Sequence, residues 1–134
     1  MRKNSQLSRV LHILVHLNKS DQPITSAAFA NMLKTNAVVV RRIMGMLRNA
    51  GYVLSTNGRN GGWVLNKPLD NISLLDIHQA LGESTLFNIA LTDEHQHCPI
   101  EKSVNRELQD VLQEVEALVL QKFSAISLDK IANH

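Results

Sequence analysis

Residues 36–65 constrain the fold more than any other stretch of the chain. They open as a basic segment, Asn36-Ala-Val-Val-Val-Arg-Arg-Ile-Met-Gly-Met-Leu-Arg-Asn-Ala-Gly51. An apolar strand from Tyr52 to Ser55 follows, then a glycine loop Gly58-Arg59-Asn60-Gly61-Gly62 and a second strand opening on Trp63. Within the basic segment Val40, Ile43, Met44 and Leu47 recur at i, i+3, i+4 and i+7, the spacing that lines one face of an α-helix. Helix, strand, glycine hairpin and strand in that order predict a winged helix. Arginine sits on both the helix and the hairpin tip. A helix and an adjacent basic hairpin match the surface of duplex DNA, where one enters a groove and the other rests on the neighbouring backbone or groove.

The preceding residues supply the other half of a helix-turn-helix. Leu7, Val10, Leu11, Leu14 and Leu17 at helical spacing predict a first helix from about Ser5 to Asn18. After the Asp21-Gln-Pro23 turn, Ile24 and Phe29 flank Thr25 as a hydrophobic staple flanks an N-cap, so a short helix should run to about Leu33. Lys34-Thr35 then makes the turn and Asn36 caps the third helix. On that helix Val38, Arg42, Gly45 and Asn49 lie opposite the apolar face, flanked by Arg41 and Arg48, with no acid among them. Helical arginines usually just face solvent. Arginines without acidic partners, beside valine methyls and a glycine, suit phosphates and thymine methyls instead. On the hairpin, Arg59 and Asn60 suit a phosphate or a narrow, negatively charged minor groove, whereas Trp63 is expected to anchor the hairpin to the helices. The candidate DNA-binding residues are Thr25, Asn36, Val38, Val39, Arg41, Arg42, Arg48, Arg59 and Asn60.

Charge divides the chain in the same place. Residues 1–67 hold ten Lys/Arg and one acid, Asp21, for a charge of +9, while residues 68–134 hold four bases and eleven acids, for −7. The modest total of +2 conceals that division, which suggests a polyanion-binding module joined to one of another purpose. No apolar run approaches the roughly 20 residues that span a bilayer. The apolar run Val10–Leu17 is broken by His12 and His16 and has no small-residue cleavage site, so neither a membrane partner nor a signal peptide is expected. A single cysteine leaves no internal disulfide, and a cytoplasmic protein is the expectation.

The second half begins after Lys67-Pro68. Ile72-Ser-Leu-Leu-Asp-Ile77 combines a Ser N-cap, an acid at N3 and an apolar staple, predicting a helix to Leu81 with Gly82 as its stop. Residues 83–97 lack periodicity and read as a loop. Cys98-Pro99-Ile100-Glu101 then starts the longest helix, with proline at N1. Its stripe of Val104, Leu108, Val111, Leu112, Val115, Leu118 and Val119, continued by Phe123, is too long for so small a chain to cover alone. Those seven are the candidate dimerisation residues. A last short helix should close the chain from Ile126-Ser127-Leu128 to Ala132.

Taken together, Asn36-Ala-Val-Val-Val-Arg-Arg-Ile, Gly51-Tyr-Val, Gly58-Arg-Asn-Gly-Gly-Trp63, Ile72-Ser-Leu-Leu-Asp-Ile77 and His97-Cys-Pro-Ile100 resemble the Rrf2 family of bacterial winged-helix regulators along nearly the whole chain. The resemblance implies a homodimer crossing its long helices, a near-palindromic double-stranded DNA operator, and a sensor region just before the long helix. Cluster-binding relatives place three cysteines in that region. Here only Cys98 is present, and Thr92 and Leu86, at comparable upstream spacing, are not soft ligands. Iron–sulfur clusters are held by several thiolates, so neither metal nor cofactor is expected. Cys98 remains the candidate sensor under three readings: a small residue at a helix start, a redox-active thiol favoured by the helix N-terminus with His95 and His97, or one ligand of a soft metal in His95-Gln-His97-Cys98.

These readings converge on a mainly α protein with a small β-hairpin: a winged helix-turn-helix over residues 1–67 and a helical dimerisation and sensor region over 68–134, within one compact unit. The leading function is a homodimeric DNA-binding transcription regulator, a repressor by preference, answering a thiol signal, a small molecule or a protein effector. A protein-interaction adaptor on the same scaffold is the alternative, disfavoured by unpaired Arg41, Arg42 and Arg59. No phosphate loop and no organised Cys/His/acid constellation suggests an enzyme.

Overall fold

The computed structural model describes residues 6–82 and 98–133. Six α-helices and a two-stranded antiparallel sheet follow one another as α1 (Gln6–Lys19), α2 (Ser26–Leu33), α3 (Ala37–Asn49), β1 (Val53–Thr56), β2 (Gly62–Leu65), α4 (Leu74–Ala80), α5 (Pro99–Ser124) and α6 (Leu128–Ala132). A short 3₁₀ turn, Leu69–Asn71, links the hairpin to α4. The order of elements is the predicted one, with boundaries moved by a residue or two. The strands shift from Tyr52–Ser55 to Val53–Thr56 and from Trp63 to Gly62, because the Val53↔Leu65 to Thr56↔Gly62 register sets where pairing starts. The predicted loop 83–97 lies outside the described residues, as do His95 and His97.

Local chemistry accounts for three of the helix starts. Thr25 and Asn36 accept the Ala28 and Val39 backbone N–H groups at 3.1 and 3.0 Å. At α4 the Ser73 hydroxyl accepts from Asp76 N at 3.0 Å while the Asp76 carboxylate accepts from Ser73 N at 2.9 Å, a reciprocal capping box. Between α2 and α3 the chain turns through Lys34, which takes a left-handed conformation (φ 54°, ψ 47°). That geometry lets three residues join the two helices, and it disfavours a side chain by roughly 1–2 kcal/mol.

Core packing joins both halves of the chain. Val10, Ile13 and Leu14 of α1, Phe29 of α2, and Val40, Ile43, Met44 and Leu47 of α3 meet Val53, Ile72, Ile77 and Leu128 in one buried cluster. The expected apolar face of α3 is therefore the buried one. The C-terminal segment returns to the start of α4, where Leu74 N donates to Ile126 O and Leu128 N to Ile72 O, each at 2.9 Å. His78 of α4 is also buried, edge-on to the Phe123 ring with centroids 6.1 Å apart. Its Nδ1 finds no partner among the described residues. The His12 and His16 rings lie side by side on α1 with centroids 4.9 Å apart.

The long helix behaves differently. None of its residues is buried, and its principal packing is against α4. Val104, Leu108, Val111, Val115 and Leu118 are between 41% and 54% exposed, and Ile100 is 74% exposed. Leu112 and Val119 are half-buried. Steps of four and three residues from Val104 through Leu118 are the seam spacing of a coiled coil.

Candidate nucleic-acid interface

The outward side of α3 is built by exclusion. Once Val40, Ile43, Met44 and Leu47 enter the core, the helical period turns Val38, Arg41 and Arg42 to solvent. All three are exposed, Val38 by 67%. Arg41 and Arg42 have no acidic partner among the described residues. Val39, also a candidate, is half-buried and packs on the core. Thr25 and Asn36 are exposed, with their side-chain oxygens already committed as caps.

The hairpin forms the second arm. Thr56 closes its loop, with Gly62 N donating to Thr56 Oγ1 at 3.0 Å and Thr56 Oγ1 donating to Gly62 O at 3.2 Å. Gly58 adopts φ 103°, which a side chain would resist. Gly62 is required for a different reason. A Cβ there would stand 2.8 Å from the Ile24 backbone, because Ile24 runs alongside as a third, one-residue strand. Ile24 and Trp63 exchange both backbone hydrogen bonds, at 3.1 and 2.8 Å. Arg59 and Asn60 sit at the tip, exposed, and Arg59 has no ion-pair partner among the described residues.

Arg48 occupies a separate environment. Its guanidinium lies over the Trp63 ring, 5.9 Å from the centroid, within cation–π range. The Trp63 indole N–H in turn donates to Ser26 Oγ at 2.9 Å. Trp63 thus anchors the hairpin, as expected, but Ser26 was not among the candidate residues. A serine one place after an N-cap threonine carries no local signal for a bond made 37 residues away. Behind the hairpin, Lys67 lies over the Tyr52 ring at 5.4 Å. Burial raises the Tyr52 phenol above its ordinary range, and the charge of Asp76 raises it further.

Cys98 is half-buried at the N-cap of α5, without a side-chain capping bond. Among the described residues no three His, Cys, Asp or Glu side chains come together as a metal site. No described helix is long and apolar enough to cross a membrane.

Comparison with known proteins places this architecture. Residues 3–134 match the Rrf2 family, described as "Iron-dependent Transcriptional regulator". The chain is similar to Bacillus subtilis YwnA, described as "Putative HTH-type transcriptional regulator", at 29% identity over 98% of this chain and 97% of that protein. It is 31% identical to YffB of Lactococcus lactis, similarly described, over 92% of this chain and 80% of that one. A crystal structure of a "putative DNA binding protein" superposes with a TM-score of 0.73 at 28% identity, covering 95% of this chain and 98% of that one. CymR of B. subtilis, at 22% identity and a TM-score of 0.64 over 99% and 97% of the two chains, shares the fold. The family description raises the question of iron. One cysteine per chain supplies one thiolate, which does not fit a cluster held by several. By sequence and by architecture, the chain belongs to the Rrf2 family of transcriptional regulators.

Proposed function

We propose that the protein is a homodimeric, sequence-specific DNA-binding repressor of the cytoplasm, with α3 as its recognition helix and the β1–β2 hairpin as its wing. The observation that carries this reading is a basic surface without acidic partners among the described residues, Arg41 and Arg42 on α3 and Arg59 on the wing, around an exposed Val38. Residues 1–67 hold this surface and residues 68–134 the dimerisation and sensing elements. In a helix-turn-helix the N-terminal part of the second helix approaches the base edges. Val38 is then placed for a thymine methyl, Arg42 for a guanine edge or a phosphate, and Arg41 for the flanking backbone. The wing carries Arg59 and Asn60 to the neighbouring backbone or minor groove.

The exposed α5 seam supplies the reason for two copies. Pairing it with the same seam of a second chain removes both from water under two-fold symmetry. Two recognition helices related in this way call for a near-palindromic operator. Occupancy of such a site blocks transcription without catalysis, and a signal that alters the α5 region changes the spacing of the two helices.

Binding to an operator selected from random duplexes, followed across a salt series, tests the proposal. Affinity should fall steeply with salt as counterions are released. Arg42→Ala should weaken binding by about 1–3 kcal/mol and relax specificity if it reads a base, whereas Arg59→Ala at a phosphate should weaken all sequences alike and reduce the salt slope by roughly one. Affinity that is flat in salt, or failure to enrich any sequence, overturns the reading.

A further inference from the structure

We propose that Trp63, Ser26 and Arg48 form a clamp that sets the angle of the wing against the recognition helix. In this arrangement Arg48 serves DNA binding as a positioning residue, acting through Trp63 rather than by touching the duplex. The inference rests on the DNA-binding reading above and deepens it.

Trp63 is held by two helices. Its indole N–H donates to Ser26 Oγ at 2.9 Å, a partly buried bond to the first residue of α2. Its backbone exchanges two hydrogen bonds with Ile24 just before that helix, and Gly62 has no Cβ so that the two strands can meet. The Arg48 guanidinium covers the ring from the last turn of α3. One indole therefore touches both helices of the helix-turn-helix and belongs to the wing.

The location of Arg48 separates it from the reading surface. It lies ten residues beyond Val38, about 15 Å along the helix axis. A cation in the last turn also satisfies the exposed carbonyl end of the helix. These two demands are met within the protein and need no duplex.

A clamp at this point matters because the wing is a lever. Arg59 lies four residues from Trp63, up to roughly 13 Å away at the rise of an extended chain. A rotation of about 10° at the base would move the tip by about 2 Å, enough to break a hydrogen bond to a phosphate. The indole N–H bond and the guanidinium both resist that rotation.

The chain contains one tryptophan, so its intrinsic fluorescence reports on the clamp alone. The experiment uses the full chain with Ser26→Ala, Trp63→Phe and Arg48→Gln, each alone and combined with Arg59→Ala. Helical circular dichroism is checked for all of them. Ser26→Ala and Arg48→Gln should shift Trp63 emission in the absence of DNA. Each clamp variant should weaken operator binding about three- to tenfold and lower the salt slope by no more than the roughly one that Arg59 contributes, and both effects should vanish in the Arg59→Ala background, the non-additivity expected of coupled residues. Should Arg48→Gln instead lower the salt slope by a further one or so in the Arg59→Ala background and add in full to its loss of affinity, Arg48 is a phosphate contact and the clamp is refuted. Losses of the same size with or without Arg59 would also refute it, because they mark general damage to the fold. Wild-type protein that binds no duplex in a salt-dependent way defeats the DNA-binding reading itself. Normal wild-type binding with clamp variants that lose nothing defeats only the clamp.

Discussion

Replacing Leu118 by glutamate should separate the proposed dimer without unfolding the chain. Ile100, Val104, Leu108, Val111, Val115 and Leu118 are 41–74% exposed in the single chain. Burying a whole Val, Leu or Ile side chain contributes about 1.5–3 kcal/mol, so a half-exposed one has about 0.8–1.5 kcal/mol still to gain. Six of them offer roughly 5–9 kcal/mol per chain, and two chains roughly twice that, against an association penalty of about 4–15 kcal/mol. The margin is thin, and most of the seam must pair. A buried carboxylate forfeits the leucine's share and adds several kcal/mol of desolvation, twice over in a symmetric pair. Even about 3 kcal/mol per copy weakens dimerisation by roughly four powers of ten. Within the isolated helix, the new carboxylate would face Glu114 and Lys122 four residues to either side, contributions of a few tenths that offset each other. Sedimentation at micromolar concentration should show a dimer for wild type and a monomer for Leu118→Glu, with helical circular dichroism unchanged and operator binding lost. A folded dimer of the variant would place the interface elsewhere.

The remaining predictions concern α3, the wing base and Cys98. A Cβ on Gly45 meets nothing within 4 Å, so Gly45→Ala should stabilise the fold by about 0.5–1 kcal/mol. Its methyl would stand on the proposed DNA-facing side, so operator affinity should fall; unchanged affinity would move the groove contact to another part of α3. Tyr52 is the sole tyrosine, and its raised phenol predicts a single tyrosinate absorbance step above the ordinary range, moved down by Asp76→Asn. Because the folded value is the higher one, this group's contribution to stability is complete below the ordinary phenol range and lost as pH rises through the folded value. A step at the ordinary value would refute the burial argument. For Cys98, thiol oxidation or capping should change operator affinity in wild type and leave Cys98→Ser unaffected. Unchanged wild-type affinity after verified modification would reduce Cys98 to a structural N-cap.

How far each feature could be read in advance depends on the distance over which it is decided. Thr25, Asn36 and Ser73 were legible as caps because the bonds they form reach three residues along the chain. The buried face of α3 was legible because the helical period repeats within two turns. The glycine loop announced a hairpin for the same reason. Val39 read as a DNA-facing residue, yet it is partly buried against the core, because a position on the edge of the apolar face leaves the outcome to neighbouring helices. Arg48 looked like one more basic residue on the outer face until the strand returned to place Trp63 beneath it. The Ser26 bond, the Ile24 strand and the Ser73–Ser127 bridge are likewise long-range pairings. The apolar period of α5 was plain in the sequence, but only the packed chain leaves its seam without cover. Local hydrogen bonding and periodicity are properties of a few consecutive residues. Which side chain meets which across the fold is settled by packing, where every element competes for the same core.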